Sequence, residues 1–328
     1  MAEFVLGVDG GSSKTHLALA DRAGRLAAFV AGPGTNHEWQ GMAPVKKVFA
    51  MMTARACRQA GCRPSDIRAA CFGLSGGDIA SDFVHLKRDT IDPLGLGGPV
   101  RVSNDAFLPL FNDKYRDKGA AVTHGSWHKW LAMNGNRFFM HEGAHIFGIR
   151  QLAVTDVAKV CEGFRRPSPH TDRLLKYLGF SGYLDYFERT FYGGEKRAWV
   201  RRLPPGYAGR FRRIPEWLGR EAARGSREAL KVLDANAAQL VEGTMATVRM
   251  TGLTGKKFEV VLSGSVLAGI PALRRFFARR LAALEPGART MGAPGKPVRG
   301  ALNFAAHMAW DGFPSGSLKE PALWYRQP

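Results

Sequence analysis

The chain has 328 residues, 45% of them hydrophobic and 23% charged, an ordinary globular composition that is long for one core and comfortable for two domains. No apolar run approaches a membrane span, and Glu3 and Asp9 interrupt the segment a signal peptide would need, so no membrane span is expected and a cytoplasmic protein is. The formal charge of +19 suits an anionic partner, but the arginines are scattered, concentrating only at Arg197–Arg213 and Arg274–Arg280, and no recognised nucleic-acid module accompanies them; a solvated basic surface is expected, and nucleic acid is not expected as a partner.

The first element is an apolar run, Phe4 to Val8, which delivers Asp9 into a turn of Gly10, Gly11, Ser12 and Ser13. After Lys14, a second alternating run from Thr15 to Ala20 leads away, so the stretch reads as strand, tight loop, strand. Adjacent glycines let backbone N–H groups approach an anion, the hydroxyls of Ser12, Ser13 and Thr15 can donate to it, and Lys14 adds charge. A carboxylate ahead of such a loop is placed to hold the Mg²⁺ that travels with nucleotide phosphates. No helix follows, so this is neither a P-loop nor a Rossmann fingerprint; an ordinary glycine-rich hairpin is the plain alternative.

Asp21 to Gly24 forms another turn and Arg25 to Val30 a third strand. Gly32 to His37 is a loop, followed by an amphipathic helix over about Ala43–Ala60 that Gly61 and Pro64 close. Ile67–Gly73 reads as a buried strand ending in Leu74-Ser75-Gly76-Gly77-Asp78. A helix covers roughly Ala80–Ile91, and the short strand Val100–Ser103 ends at Asn104-Asp105. Three meandering strands followed by helix–strand alternation give an α/β pattern of the ribonuclease-H type.

The same logic then restarts. Gly119–Thr123 is a strand, His124 to His128 a loop, Trp130–Met133 a strand, and Asn134-Gly135 a hairpin turn returning through Arg137–Met140. From Glu142 to Cys161 the pattern is helical, and helices dominate to about Gly252, the longest over Ser226–Gly252. Glu259–Ser263 is a strand reaching Gly264, Pro271–Leu284 a basic amphipathic helix and Gly300–Ala309 a last apolar helix. The repeat predicts a boundary near Lys118: one ribonuclease-H-like domain over 1–117, and a second with helical insertions over 118–328.

With Gly7 to Thr15 and these later landmarks in order, the chain resembles the N-acetylglucosamine kinases and BadF/BadG/BcrA/BcrD-type ATPases of the actin–hexokinase superfamily, from about Phe4 to Ala309. The resemblance implies two ribonuclease-H-like α/β domains of the actin-like ATPase fold with an interdomain cleft, and ATP-dependent phosphorylation of a sugar with ATP and Mg²⁺. It makes Asp105 the base that takes the sugar hydroxyl's proton, where local sequence would equally allow a helix-capping aspartate. Asp9 becomes the metal-side carboxylate. Gly10, Gly11, Ser12, Ser13, Lys14 and Thr15 form the first phosphate loop, Gly125 and Ser126 what survives of the second, and Gly264 and Ser265 the adenosine-side loop. The sugar would meet Asn36, Gly76, Asn104, His141 and Glu142, and a homodimer is compatible with the family.

Three positions depart from the family pattern. Trp127 stands where a glycine should let backbone approach phosphate, Ser265 replaces a second glycine, and His141-Glu142-Gly143-Ala144 replaces Asp-Glu-Gly-Ser. They support a second reading, a catalytically degenerate sugar- or nucleotide-binding sensor or interaction protein of the same fold. Residues His141 to His145 also spell HExxH, but Gly143 and the preceding strand fit a zinc-protease helix poorly. Metal binding by His124, His128, His141 and His145 would need the four to converge. An activating ATPase of a radical dehydratase needs an iron–sulfur cluster, and Cys57, Cys62, Cys71 and Cys161 give no ligand pair or disulfide framework.

Overall fold

The computed structural model describes residues 3–125, 128–142, 148–192 and 203–313. Strands β1 (Phe4–Gly10), β2 (Lys14–Asp21), β3 (Leu26–Pro33), β4 (Ile67–Leu74) and β5 (Val100–Ser103) form one sheet in the order β3-β2-β1-β4-β5. The β1–β2 and β2–β3 pairs are antiparallel, and β1–β4 and β4–β5 are parallel. Strands β1, β3, β4 and β5 therefore all run one way, and the loops that follow them leave the sheet at one end.

A second sheet repeats the order. Strands β6 (Lys118–His124), β7 (His128–Asn134), β8 (Arg137–His141), β9 (Phe258–Ser263) and β10 (Ala288–Gly292) are arranged β10-β9-β6-β7-β8. Counted from each unit's own first strand, both sheets read 3-2-1-4-5. This is the two-domain α/β fold expected, although β10, with no apolar alternation in Ala-Arg-Thr-Met-Gly, leaves no mark in the sequence pattern.

Helices α1 (His37–Gln40), α2 (Met42–Ala60) and α3 (Ala80–Leu86) belong to the first repeat. The helical stretch of the second holds α4 (Ile149–Cys161), α5 (Pro169–Leu178), α6 (Tyr183–Phe187), α7 (Tyr207–Arg212), α8 (Ile214–Ala223) and α9 (Arg227–Thr251). Then come α10 (Ser265–Gly269), α11 (Pro271–Leu284) and α12 (Pro297–Trp310). Helix α9 is bounded as expected: Ser226 Oγ accepts from the Ala229 N–H, and Gly252 closes the helix in the left-handed region at φ 69°. The expected helix from Glu142 begins instead at Ile149; Glu142 lies outside regular structure.

Compact packing divides the chain differently from sequence order. One compact unit takes the described residues up to Ala121, Met133–Phe138 and those from Met291 onward, and the other takes Val122–Ala132 and Phe139–Thr290. The cause is α12, which the sequence order assigns to the second domain. Strand alternation turns Leu6, Val8, Leu17 and Leu19 to one side of the first sheet, with Phe49 and Met52 of α2. Val5, Ala18, Ala69 and Cys71 turn to the other, where Val298, Ala301, Leu302 and Ala305 of α12 cover them. Contact is close enough that a Cβ at Gly7 would lie 2.7 Å from the Leu302 backbone nitrogen. Helix α12 is thus the second layer of the first unit's core.

Candidate active site

The four loops at the common end of the first sheet are tied together by backbone hydrogen bonds. The Ser75 N–H donates to Gly10 O at 2.8 Å, and the Thr35 N–H to Gly11 O at 2.9 Å. Glycine allows the contact: a Cβ at Gly34 would fall on Ser12 O, and one at Gly10 would meet Thr35 Oγ1 and Leu74 Cδ2 at 2.4 and 2.6 Å. Gly10 is therefore required for loop packing, whereas Gly11 meets only Lys14 O, at 3.0 Å. The fourth loop joins through Asn104, whose Nδ2 donates to Gly77 O and to Asp78 Oδ1 at 2.6 Å. Asp9, Ser12, Ser13, Lys14, Asn36, Gly76, Asn104 and Asp105 are thereby brought to one edge.

Several side chains take parts different from those expected. Thr15 is fully buried and its hydroxyl is bonded to Thr35 Oγ1 at 3.0 Å, inside the fold and away from any phosphate. Asn104 has both polar atoms of its amide engaged in structure: besides the two bonds above, its Oδ1 caps the 3-10 helix Asp105–Phe111 by accepting from the Ala106 N–H. That settles the capping alternative for Asp105, because the neighbouring asparagine does it. Asn36 caps α1, its Oδ1 accepting from the Glu38 and Trp39 N–H groups, which leaves only its amide nitrogen to face a ligand. Ser13 and Lys14 are exposed at the loop tip, and neither side chain has a hydrogen-bond or ion-pair partner among the described residues.

Asp105 is held from behind. Its turn packs on β4 through Gly73, where a Cβ would sit 2.5–2.7 Å from the Leu108 side chain, and on α12 through Gly300, where a Cβ would strike Leu108 O. Asn303 of α12 donates to Phe111 O and Asn112 O, and buried Arg116 donates to Leu110 O. Phe107 and Phe111 stack with Phe138, Tyr115 and Phe304 at centroid distances of 4.6–5.8 Å. This aromatic seat has no local sequence signal, since its members come from separate segments.

Asp9 has a neighbour that sequence reasoning missed. His16 is its cross-strand partner, with Nδ1 3.7 Å from Asp9 Oδ2 and its ring against Phe29. The pairing follows from the register of a two-strand hairpin, and the alternation of β2 was the signal that could have found it.

In the second unit, the loops after β6 and β9 lie together. Gly264 has φ 90°, and a Cβ there would lie 2.4 Å from His124 O. Gly125 faces Ser265, whose Oγ would be 3.6 Å from a Cβ placed on that glycine. Thr123 and Ser263 hydroxyls bond at 2.7 Å just beneath. Ser126 and Trp127 lie outside the described residues, as do residues 143–147, which include most of the HExxH string and His145.

The three described histidines of that set, His124, His128 and His141, do not meet at one point. His124, His128, Trp130 and His141 form a file of rings with successive centroids 5.7, 5.0 and 5.0 Å apart, so the indole of Trp130 separates His128 from His141. His124 is buried with Nε2 against Asn236 Oδ1, and burial pushes its pKa down to about 4. His141 stacks on Trp130 and its Nε2 meets Gly243 O at 3.2 Å, while Glu142 pairs with Lys129 at 2.6 Å. His141 is thus tied to α9, and Glu142 to its own hairpin. No three His, Cys, Asp or Glu side chains cluster as metal ligands among the described residues. All four cysteines are free, with Cys57 and Cys71 buried. No helix of the described residues is long and apolar enough to cross a membrane. Some of the basic surface is structural: Arg280 pairs with Asp234, and Arg274 donates to the carbonyls of Leu267 and Ala268.

No protein-family profile matches the chain. It is 21% identical over 312 residues to an N-acetylmuramic acid/N-acetylglucosamine kinase of Clostridium acetobutylicum, covering 92% of this chain and 98% of that protein. Among solved structures it is similar to a protein of Chromobacterium violaceum provisionally assigned as an N-acetylglucosamine kinase, with a TM-score of 0.58, 21% identity, and 92% and 98% of the two chains covered. It also matches a ROK-family glucokinase of Streptomyces griseus solved with glucose and AMPPNP, with a TM-score of 0.50, 16% identity, and 94% and 100% covered. The fold is that of these sugar kinases.

Proposed function

We propose that the protein is an ATP-dependent sugar kinase that phosphorylates an amino sugar of the N-acetylglucosamine type. The observation that carries the reading is the gathering of Asp9, the Gly11–Lys14 turn, Asn36 and Asp105 on four knitted loops at the carboxyl ends of like-directed strands. Asp105 is the group that accepts the acceptor hydroxyl's proton, held by the Gly73–Leu108 contact and the aromatic seat. The likeness to kinases across nearly the whole chain adds support.

The residues fit a nucleotide and its cation. Ser13 and Lys14 stand exposed with no partners among the described residues, and Gly11 beside them is partly exposed. Asp9, hard and anionic, suits Mg²⁺, which takes one or two carboxylates alongside phosphate oxygens. When bound, ATP with Mg²⁺ supplies the phosphoryl group and part of the charge neutralisation. Asp9 then holds the cation, Lys14 and Ser13 hold phosphate, and Asn36 offers its amide nitrogen to the acceptor. Within the second unit taken by itself, Gly125, Gly264 and Ser265 are further candidates for nucleotide contact.

The test is a coupled ADP-release assay with N-acetylglucosamine, N-acetylmuramic acid and glucose. Release dependent on an amino sugar is expected. Calorimetric binding of nucleotide or sugar without any release would favour the degenerate sensor, and neither binding nor release would overturn both.

A further inference from the structure

Asn36 Nδ2, Ser12 Oγ and Ser75 Oγ form a nearly equilateral triangle with sides of 3.3, 3.2 and 3.0 Å. Asn36 lies in the loop after β3, Ser12 in the turn after β1 and Ser75 in the loop after β4, so the triangle bridges three of the site's loops. Its third corner is fixed, because Asn36 Oδ1 is held by two N–H groups of α1 and the residue is almost wholly buried. Gly76 confirms the tightness: at φ 85° its Cβ would lie 3.0 Å from Asn36 Oδ1.

Counting protons gives the triangle a directional property. The amide nitrogen donates toward both hydroxyl oxygens, so neither of those two bonds uses a hydroxyl proton. The hydroxyls bond each other, and that bond takes one of their two protons. A single hydroxyl proton is left over. It belongs to Ser75 when Ser12 donates across the pair, and to Ser12 when Ser75 donates.

Resting on the kinase reading, we propose that this hydroxyl pair couples nucleotide and acceptor binding. An anion on the Gly11–Lys14 turn accepts the Ser12 proton, which requires Ser75 to donate to Ser12. Ser75 then presents only lone pairs, and the acceptor group it receives is a hydroxyl donor. Nucleotide occupancy thus converts Ser75 from donor to acceptor and favours a sugar that offers O–H there over one that offers only an acceptor. Ser12 and Ser75 are positioning residues in this scheme; neither exchanges a proton with the reacting atoms.

The experiment is calorimetric titration of N-acetylglucosamine into the full chain, with and without saturating Mg²⁺ and a non-hydrolysable ATP analogue. The analogue is expected to tighten sugar binding about five- to tenfold, at the low end of ordinary couplings between sites. Ser12→Ala and Ser75→Ala should each reduce that ratio to below about twofold, and the double variant should be no worse than either. Thermal unfolding checks that each variant folds, and either serine variant alone suffices for the test. A panel of monodeoxyfluoro sugars supplies the second readout: one position should bind the free protein normally yet gain nothing from the analogue. Coupling that survives both serine substitutions, or a wild type that binds both ligands without coupling, overturns this proposal and leaves the kinase reading standing. A wild type that binds neither ligand overturns both.

Discussion

Replacing Gly73 by alanine probes how Asp105 is held. The new methyl would lie 2.5, 2.6 and 2.7 Å from Cγ, Cδ1 and Cδ2 of Leu108, which is fully buried and three residues beyond Asp105. Real Cβ atoms do not sit that close, so the 3-10 helix must lift off β4 or Leu108 must leave its position. Overpacking of this kind costs about 1–3 kcal/mol. Leu108→Ala alone should cost about 2–5 kcal/mol by leaving a cavity. In the double variant the methyl added at position 73 enters space that the leucine side chain vacated, so the two losses should fall short of additivity by about 1–2 kcal/mol. Denaturant unfolding of the four proteins measures this cycle. Turnover provides the functional arm: displacement of Asp105 in Gly73→Ala should lower kcat about 10- to 100-fold, and Leu108→Ala on that background should recover part of it. Additivity within about 0.5 kcal/mol would refute the contact, and an unaltered kcat would refute its role in holding Asp105.

Further outcomes are expected. Asp105→Asn should lower turnover about 10²–10⁴-fold, with acceptor binding retained in calorimetry; full turnover would remove Asp105 as the base. Lys14→Met should weaken Mg·ATP binding about tenfold, the scale of one charge-assisted contact, without altering the unfolding midpoint, because Lys14 is exposed and has no ion-pair partner among the described residues. His124 is held neutral by burial with its pKa pushed down to about 4, against an ordinary 6.5. The unfolded chain therefore binds that proton more readily, and the contribution is complete above pH 6.5 and lost as pH falls from 6.5 toward 4, by up to about 3 kcal/mol. Denaturant unfolding across that range should show the slope, and His124→Gln should flatten it.

Much of the architecture could be read from residue order because its signals are local. Helix α11 runs from Pro271 to Leu284 as expected, with proline at its first position, and α9 has serine and glycine at its two ends. Strand β10 escaped because it has no period-two pattern, and α12 was misassigned because no local signal says which sheet an apolar helix covers. At the site, spacing found the loops but not the direction of their side chains. Thr15 and Ser13 are both hydroxyl residues of one stretch, yet Thr15 lies inside β2, where every residue from Thr15 to Ala20 is buried, and Ser13 sits exposed in the turn before it. Asn104 and Asp105 are both good caps, and the structure alone shows which of them does it.

The position of α12 has a consequence for how the protein is made. Val5, Ala18, Ala69 and Cys71 are synthesised early, but the helix that covers them is among the last segments of the described chain to be made. At about 5–20 residues per second, a ribosome would leave that apolar face bare for about 10–45 seconds after Cys71 is made. Closing so long a loop adds little to the final free energy, since each doubling of length costs only about 0.6 kcal/mol; the penalty falls on rate and on exposure to aggregation. The same α12 carries Gly300 and Asn303, which seat the turn bearing Asp105. A nascent chain therefore lacks the seat for the Asp105 turn until translation has passed this helix.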